Sequence, residues 1–320
     1  MRKLFCWIAA ASVAALCGFW NSPPAGAAVS DAMIQKITAA LPDKAQITPA
    51  QPRKLLVFTL ANGYVHSSIP VGAAAIQMMG QKTGAYTATI SSDISQFEPD
   101  NIKQYDAVCM VSTTGDIFMP KLPKDAPQAD RDAAQKRADM LEKSLLDFVR
   151  SGKGWMGIHA ATDSCYNRKE YGDMIGGYFR EHPWHEKVGV RVEAPFDALT
   201  AAFPEHSFDI VDEIYMFRDQ PYSRDKQRVL LSLDMSRTAP KGKRADNDYA
   251  VSWVKTYGQG RVFYCSLGHR EEIYWNPNIL KHYLDGLQFV LGDLQASTTP
   301  HPKPADPQPV ETTATPAPAK

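Results

Sequence analysis

The chain has 320 residues, with 35 Lys and Arg against 35 Asp and Glu, 44% hydrophobic residues and 10% aromatic ones. Such a composition belongs to a globular protein and excludes wholesale disorder, a coiled coil or a collagenous fibre. Zero net charge leaves no basic excess to neutralise phosphates, so no nucleic-acid partner is expected.

Residues 1–28 read as a secretory signal peptide. Arg2 and Lys3 give a basic start, Leu4 to Trp20 is apolar, and Ala25-Gly26-Ala27 supplies the small residues of a cleavage site. The alternative is an uncleaved anchor, although the apolar run is barely long enough to span a bilayer. Leu16 stands before Cys17, where a lipoprotein signal needs a small residue. The mature chain is therefore expected to be exported, periplasmic or extracellular, with no stable membrane anchor after cleavage. Loss of Arg2 and Lys3 leaves 33 basic side chains against 35 acidic ones. Cys109, Cys165 and Cys265 remain after cleavage, too few and too odd a set for a disulfide framework. Residues 29–52 read as an N-terminal linker segment.

The domain spans residues 53–294. Its first strand is the apolar run Lys54 to Leu60, followed by a Gly-containing loop, 61–68, and a helix over 69–82. A strand at 86–90, a helical turn at 99–104 and a strand at 106–112 come next. Pro120, Pro123 and Pro127 mark 116–131 as a surface insertion. Leu141, Leu145, Leu146 and Val149 then line one face of a helix over 132–150. Gly152 ends that helix, and 154–158 is the next strand. Further strands are predicted at 188–192, 209–217, 228–233, 248–256 and 261–266, and a helix over 276–291 closes the domain. Strands alternating with helices imply an α/β fold with a mainly parallel central sheet. The last segment, 295–320, holds seven of the 23 prolines and little apolar mass, so it is expected to be a disordered tail.

Ligands of open parallel sheets bind beyond the carboxyl ends of the strands. By that address His66, Thr113, Thr114, His159 and His269 gather at one edge. The run Gly154-Trp155-Met156-Gly157-Ile158-His159-Ala160-Ala161 ends a strand in a tight turn flanked by small residues, as in a nucleophile elbow, with His159 as the projected side chain. Histidine there suits a general base or a metal ligand.

Four motifs in order, Gly154 to His159, Gly176-Gly177-Tyr178-Phe179 with His182-Pro183, Asp212 to Tyr215, and Tyr257 to Tyr264 with Gly268-His269, resemble the ThuA-like (trehalose utilisation) family over about residues 53–292. The resemblance implies a flavodoxin-like, class I glutamine amidotransferase-like sandwich and a link to bacterial sugar metabolism, including 3-keto-glycosides. It also implies a departure: His159 stands where true amidotransferases carry a catalytic Cys, and Cys165 lies six residues beyond. A Cys-dependent glutamine amidotransferase is therefore not expected.

Several imidazoles remain to be assigned. A divalent metal ion could draw on His66, His159, His182, His185, Glu213 and His269, with His182 and His185 the pair spaced as ligands, although paired histidines in such a loop are often only hydrogen-bonded. Glu213 and Tyr215 alternate with Ile214 and Met216, so they share one strand face, either cleft-lining or solvent-facing. Catalysis is assigned to His159, His269 and Glu213. Substrate contacts are assigned to His66, Tyr215, Asp163 and Trp275, Asp163 having the alternative role of a helix cap. The expected activity is acid/base chemistry on a sugar or keto-glycoside, as a hydrolase, lyase or isomerase. The rival expectation is a secreted carbohydrate-binding protein built around Tyr215, Trp184 and Trp275. No Gly-x-Gly-x-x-Gly follows the first strand, so no nucleotide cofactor is expected.

Overall fold

The computed structural model describes residues 29–304. In chain order the elements are α1 (Asp31–Ala40), β1 (Lys54–Phe58), α2 (Ser68–Thr83), β2 (Thr87–Ser91), α3 (Pro99–Ile102), β3 (Ala107–Val111), β4 (Thr114–Gly115), α4 (Gln128–Arg150), β5 (Gly154–Ile158), β6 (Asp163–Ser164), α5 (Lys169–Ile175), β7 (Phe179–Val192), β8 (Ser207–Phe217), β9 (Arg228–Leu233), β10 (Ala250–Tyr257), β11 (Gly260–Cys265) and α6 (Pro277–Leu291).

Nine strands form one sheet in the order β2-β1-β3-β5-β11-β10-β9-β7-β8, and β4 pairs with β6 beside it. Pairing is parallel from β2 through β11 and antiparallel from β11 to β8. Only β10 and β7 therefore run against the rest, and the central sheet is mostly parallel. Alternating residues of the inner strands divide the core. Leu55, Val57, Cys109 and Ile158 pack with α1, α2 and α6 on one face. On the other face, Leu56, Phe58, Met110 and Trp155 pack with α3, α4 and α5. Helices cover both faces of strands that are apolar on both sides, which is the physical content of the α/β sandwich.

Structure and sequence reading differ in four places. The segment read as a linker carries α1, whose Ile37 is buried in the core under the Ser30 cap. Helix α4 begins four residues earlier than its apolar pattern, since Gln128 to Arg131 extend it on the solvent side. Strand β7 starts at Phe179, so His182 and His185 sit on an irregular strand edge and not in a loop. The first residues of the Pro-rich tail lie along β9, with His301 Nε2 2.9 Å from the Val229 carbonyl. Residues 1–28, expected to be a signal peptide, and residues 305–320 lie outside the described residues. Among the described residues no helix is long and apolar enough to cross a membrane.

Two tight contacts explain the glycines of β5. A Cβ on Gly154 would meet the Val290 carbonyl oxygen of α6 at 2.1 Å, and one on Gly157 would meet the Trp155 ring at 2.3 Å. Gly154→Ala is expected to cost about 3 kcal/mol through overpacking, read as a lowered denaturant midpoint. His282 of α6 is fully buried between Ser252 Oγ (3.0 Å) and the Leu199 carbonyl (2.7 Å). Burial pulls its pKa down to about 4. A base depressed in the folded state stabilises fully above its unfolded value near 6.5 and loses that contribution as pH falls towards 4. His282→Gln should flatten the pH dependence of unfolding free energy in that window by up to about 1.4 kcal/mol per pH unit.

Candidate functional site

Strand β5 ends in a 3-10 turn, His159–Thr162, and His159 itself has a left-handed φ of 50°. A non-glycine residue in that region is strained, and here the strain turns the imidazole back over the sheet edge. Its Nδ1 lies 2.7 Å from the Ser266 carbonyl at the end of β11. A carbonyl can only accept, so Nδ1 carries the proton and Nε2 presents a lone pair. Around that lone pair stand His66 Nε2 at 3.2 Å, Tyr215 Oη at 3.3 Å and Glu213 Oε1 at 3.7 Å.

Each partner arrives from a different element. His66 comes from the loop after β1, Glu213 and Tyr215 from one face of β8, and His269 from the turn after β11. His269 Nδ1 lies 3.4 Å from Glu213 Oε1, and the buried Nδ1 atoms of His66 and His269 have no hydrogen-bond partner among the described residues. Ligand atoms of His66, His159, Glu213 and His269 all fall within 4.8 Å of one another. A tetrahedral divalent ion with bonds of about 2.1 Å separates its ligand atoms by roughly 3.4 Å; the closest contacts, 3.2 to 3.7 Å, are near that spacing and the full 4.8 Å spread is wider, so the group could hold an ion after a small contraction. Neutral imidazoles with one carboxylate are also the donor set that such an ion takes.

The electrostatics agree. Burial, with the neighbouring imidazoles, holds His159 well below the ordinary histidine value, and burial lowers His66 to about 4. Both rings are therefore neutral near pH 7. Contact with Glu213 raises His269. Burial pushes the Glu213 carboxyl upward, but the facing His269, His182 and His185 outweigh it and keep the group below its usual value.

The family model for ThuA, trehalose utilisation, matches residues 54–290. The chain belongs to the ThuA family. Its fold resembles a ThuA-like protein from Bacteroides uniformis, 18% identical, covering 76% of this chain and 93% of that one with a TM-score of 0.51. Another ThuA-like protein, from Parabacteroides merdae, is 14% identical, with 76% and 91% covered and a TM-score of 0.53. No curated protein matches. The fold is the class I glutamine amidotransferase-like one, and its elbow carries histidine. Cys165 is buried with Sγ 4.0 Å from Asp116 Oδ1, and burial raises its thiol pKa far above neutrality.

This ThuA-family structure brings five of the sequence-nominated residues, His66, His159, Glu213, Tyr215 and His269, into direct contact. His182 and His185 stand half-exposed on β7, with Nδ1 atoms 3.6 and 3.9 Å from Glu213 Oε2. Asp163 accepts a hydrogen bond from Tyr166 Oη and is raised by burial, while the Ser266 carbonyl takes the orienting place beside His159. Trp275 packs against the core with Lys36 Nζ 4.6 Å over its ring.

Sequence reasoning left Asp212 without a role. Its fully buried carboxylate accepts the Gly268 N–H at 2.7 Å and the Arg270 N–H at 2.9 Å, clamping the backbone on both sides of His269. The signal was present: Asp212 shares a strand face with the core residues Ile214 and Met216, and a carboxylate there needs partners. Burial raises it to about 6 in spite of those hydrogen bonds. Asp212→Asn turns one acceptor into a donor facing a backbone N–H. It should cost about 2–3 kcal/mol in denaturant unfolding.

Proposed function

We propose that this ThuA-family protein is exported and acts on a sugar or keto-glycoside by His/Glu acid/base chemistry beside a bound divalent metal ion. The observation that carries the reading is the convergence of His66, His159, Glu213 and His269 at coordination spacing from separate elements. The family's description, trehalose utilisation, supports a sugar as the substrate.

Catalytic metal sites keep an open position beside three protein ligands. His66, His159 and Glu213 would hold the ion, since the two imidazoles are neutral and buried and the carboxylate is ionised. When bound, the ion supplies Lewis acidity toward a carbonyl or hydroxyl oxygen of the sugar. His269 is the member of the group with an exposed part, 20% of its side chain. Its raised pKa and pairing with Glu213 suit it to exchange a proton at a carbon beside a carbonyl, or at a leaving oxygen. The half-exposed His185, whose ring lies 4.8 Å from that of His269, gives that proton a path to solvent. With the His159 Nε2 lone pair given to the ion, the Tyr215 hydroxyl, 3.3 Å from Nε2, is free to donate to a substrate oxygen beside it. No nucleotide cofactor is invoked.

Metal analysis of the purified protein should find about one equivalent of a divalent ion, lost in His159→Ala and kept in His269→Ala. Turnover of a 3-keto-glycoside should fall at least about 100-fold in His269→Ala. Full turnover by His159→Ala would sink the reading. Saccharide affinity without any turnover would favour a carbohydrate-binding protein instead. N-terminal sequencing of protein recovered outside the cytoplasm should start near residue 28.

A further inference from the structure

A regular strand sends residues three apart to opposite faces. Strand β7 departs from this at His182 and His185, because its register against β8 slips between Phe179 and Glu181 and again between Glu181 and Trp184. Such bulges insert unpaired residues and re-aim side chains. His185 stands directly opposite Glu213 in the ladder, and the slips bring His182 round to the same carboxylate. The His182 ring is stacked on Phe179, with centroids 5.8 Å apart and planes 15° from parallel.

Glu213 therefore meets two groups of imidazoles with two different oxygens. Its Oε1 lies 3.7 Å from His159 Nε2 and 3.4 Å from His269 Nδ1. Its Oε2 lies 3.6 Å from His182 Nδ1 and 3.9 Å from His185 Nδ1. The last two distances are too long for hydrogen bonds. They are near the roughly 3.4 Å that separates two ligand atoms on one tetrahedral ion. Both histidines turn the same ring nitrogen to the same oxygen from the solvent side, where 54% and 45% of their side chains are exposed.

We propose that Glu213 Oε2, His182 Nδ1 and His185 Nδ1 form a second, outer site for a divalent transition-metal ion, distinct from the inner group of His66, His159 and Glu213 Oε1. Two imidazoles and one carboxylate select Zn²⁺, Co²⁺, Ni²⁺ or Cu²⁺ over Mg²⁺ and Ca²⁺. The open side leaves the fourth position to water. Paired ions in two-metal centres stand about 3.5–4 Å apart, a separation that the two oxygens of one carboxylate can bridge. With a single carboxylate shared between two dications, the outer ion binds more weakly than the inner one and exchanges with the medium. The outer site depends on the inner-metal reading only through that shared carboxylate. On the acid/base reading, an ion here also occupies His185, the exit for the proton of His269.

Equilibrium dialysis of the metal-stripped protein against Zn²⁺ tests this. The wild-type protein should take up two equivalents, the second at least about tenfold more weakly than the first. His182→Ala and His185→Ala should each lose the weak equivalent and keep the tight one, whereas His206→Ala, at an exposed histidine elsewhere, keeps both. Excess Mg²⁺ should displace neither. Both outer histidines are on the surface, so an unchanged thermal midpoint without metal will show that the variants fold. A weak equivalent that survives both substitutions, or a wild-type protein holding one ion that is lost in His159→Ala and kept in His182→Ala, would overturn the outer site and leave the inner one standing. One ion lost in His182→Ala and kept in His159→Ala would uphold the outer site and overturn the inner. Wild-type protein that takes up no Zn²⁺ would overturn both.

Discussion

Everything at the sheet edge depends on one hydrogen bond, from His159 Nδ1 to the Ser266 carbonyl. It joins the ends of β5 and β11, adjacent parallel strands, and fixes both the tautomer and the direction of a fully buried imidazole. The left-handed turn at His159 is tolerated because small residues surround it and because Thr162 and Tyr264 close the turn, Tyr264 Oη donating to the His159 carbonyl at 2.7 Å. With Nε2 aimed outward, every other polar group of the site is placed by reference to it. A mobile imidazole here would leave His66 and Glu213 facing a position that changes from moment to moment.

The antiparallel half of the sheet completes what the parallel half begins. An open parallel sheet delivers the residues after β1, β5 and β11 to its carboxyl edge, which accounts for His66, His159 and His269. The carboxylate of the group comes from elsewhere. Strand β8 at the far end of the sheet brings Glu213 over the edge, and β7, running in reverse, begins at that edge with Phe179, His182 and His185. Because β8 alternates, its other face carries Asp212 into the interior, where it grips the turn that bears His269. Two neighbouring acids on one strand therefore divide the work: Glu213 meets the imidazoles and Asp212 holds one of them in place.

Burial decides the charge state of the group. Four polar side chains in one mostly buried cluster cannot all be ionised, and desolvation resolves the conflict by keeping His66 and His159 neutral while Glu213 and His269 pair. That distribution leaves two lone pairs and one carboxylate converging, the arrangement that a cation completes.

The sequence by itself determined the sandwich, because periodicity of two and of 3.6 is local: strands at 54–60, 106–112, 154–158 and 261–266 and helices at 69–82, 132–150 and 276–291 follow from their apolar patterns, with the observed ends shifted by up to four residues. It also determined the edge at which His66, His159 and His269 gather, since strand ends are addresses, and it gave the common face of Glu213 and Tyr215, since alternation is a property of any strand. Helix α1 escaped notice because its stability comes from Ile37 packing on a core assembled from distant residues. The irregular opening of β7 escaped for a related reason: its strand character is imposed by pairing with β8. Which face of β8 is dry, which carbonyl orients His159, and which aromatic rings remain open are relations between residues up to about 200 positions apart in the chain, as with Ser68 and Gly268. Only the tertiary structure decides those, because solvent access and electrostatic contact act through space and leave no local trace in the order of residues.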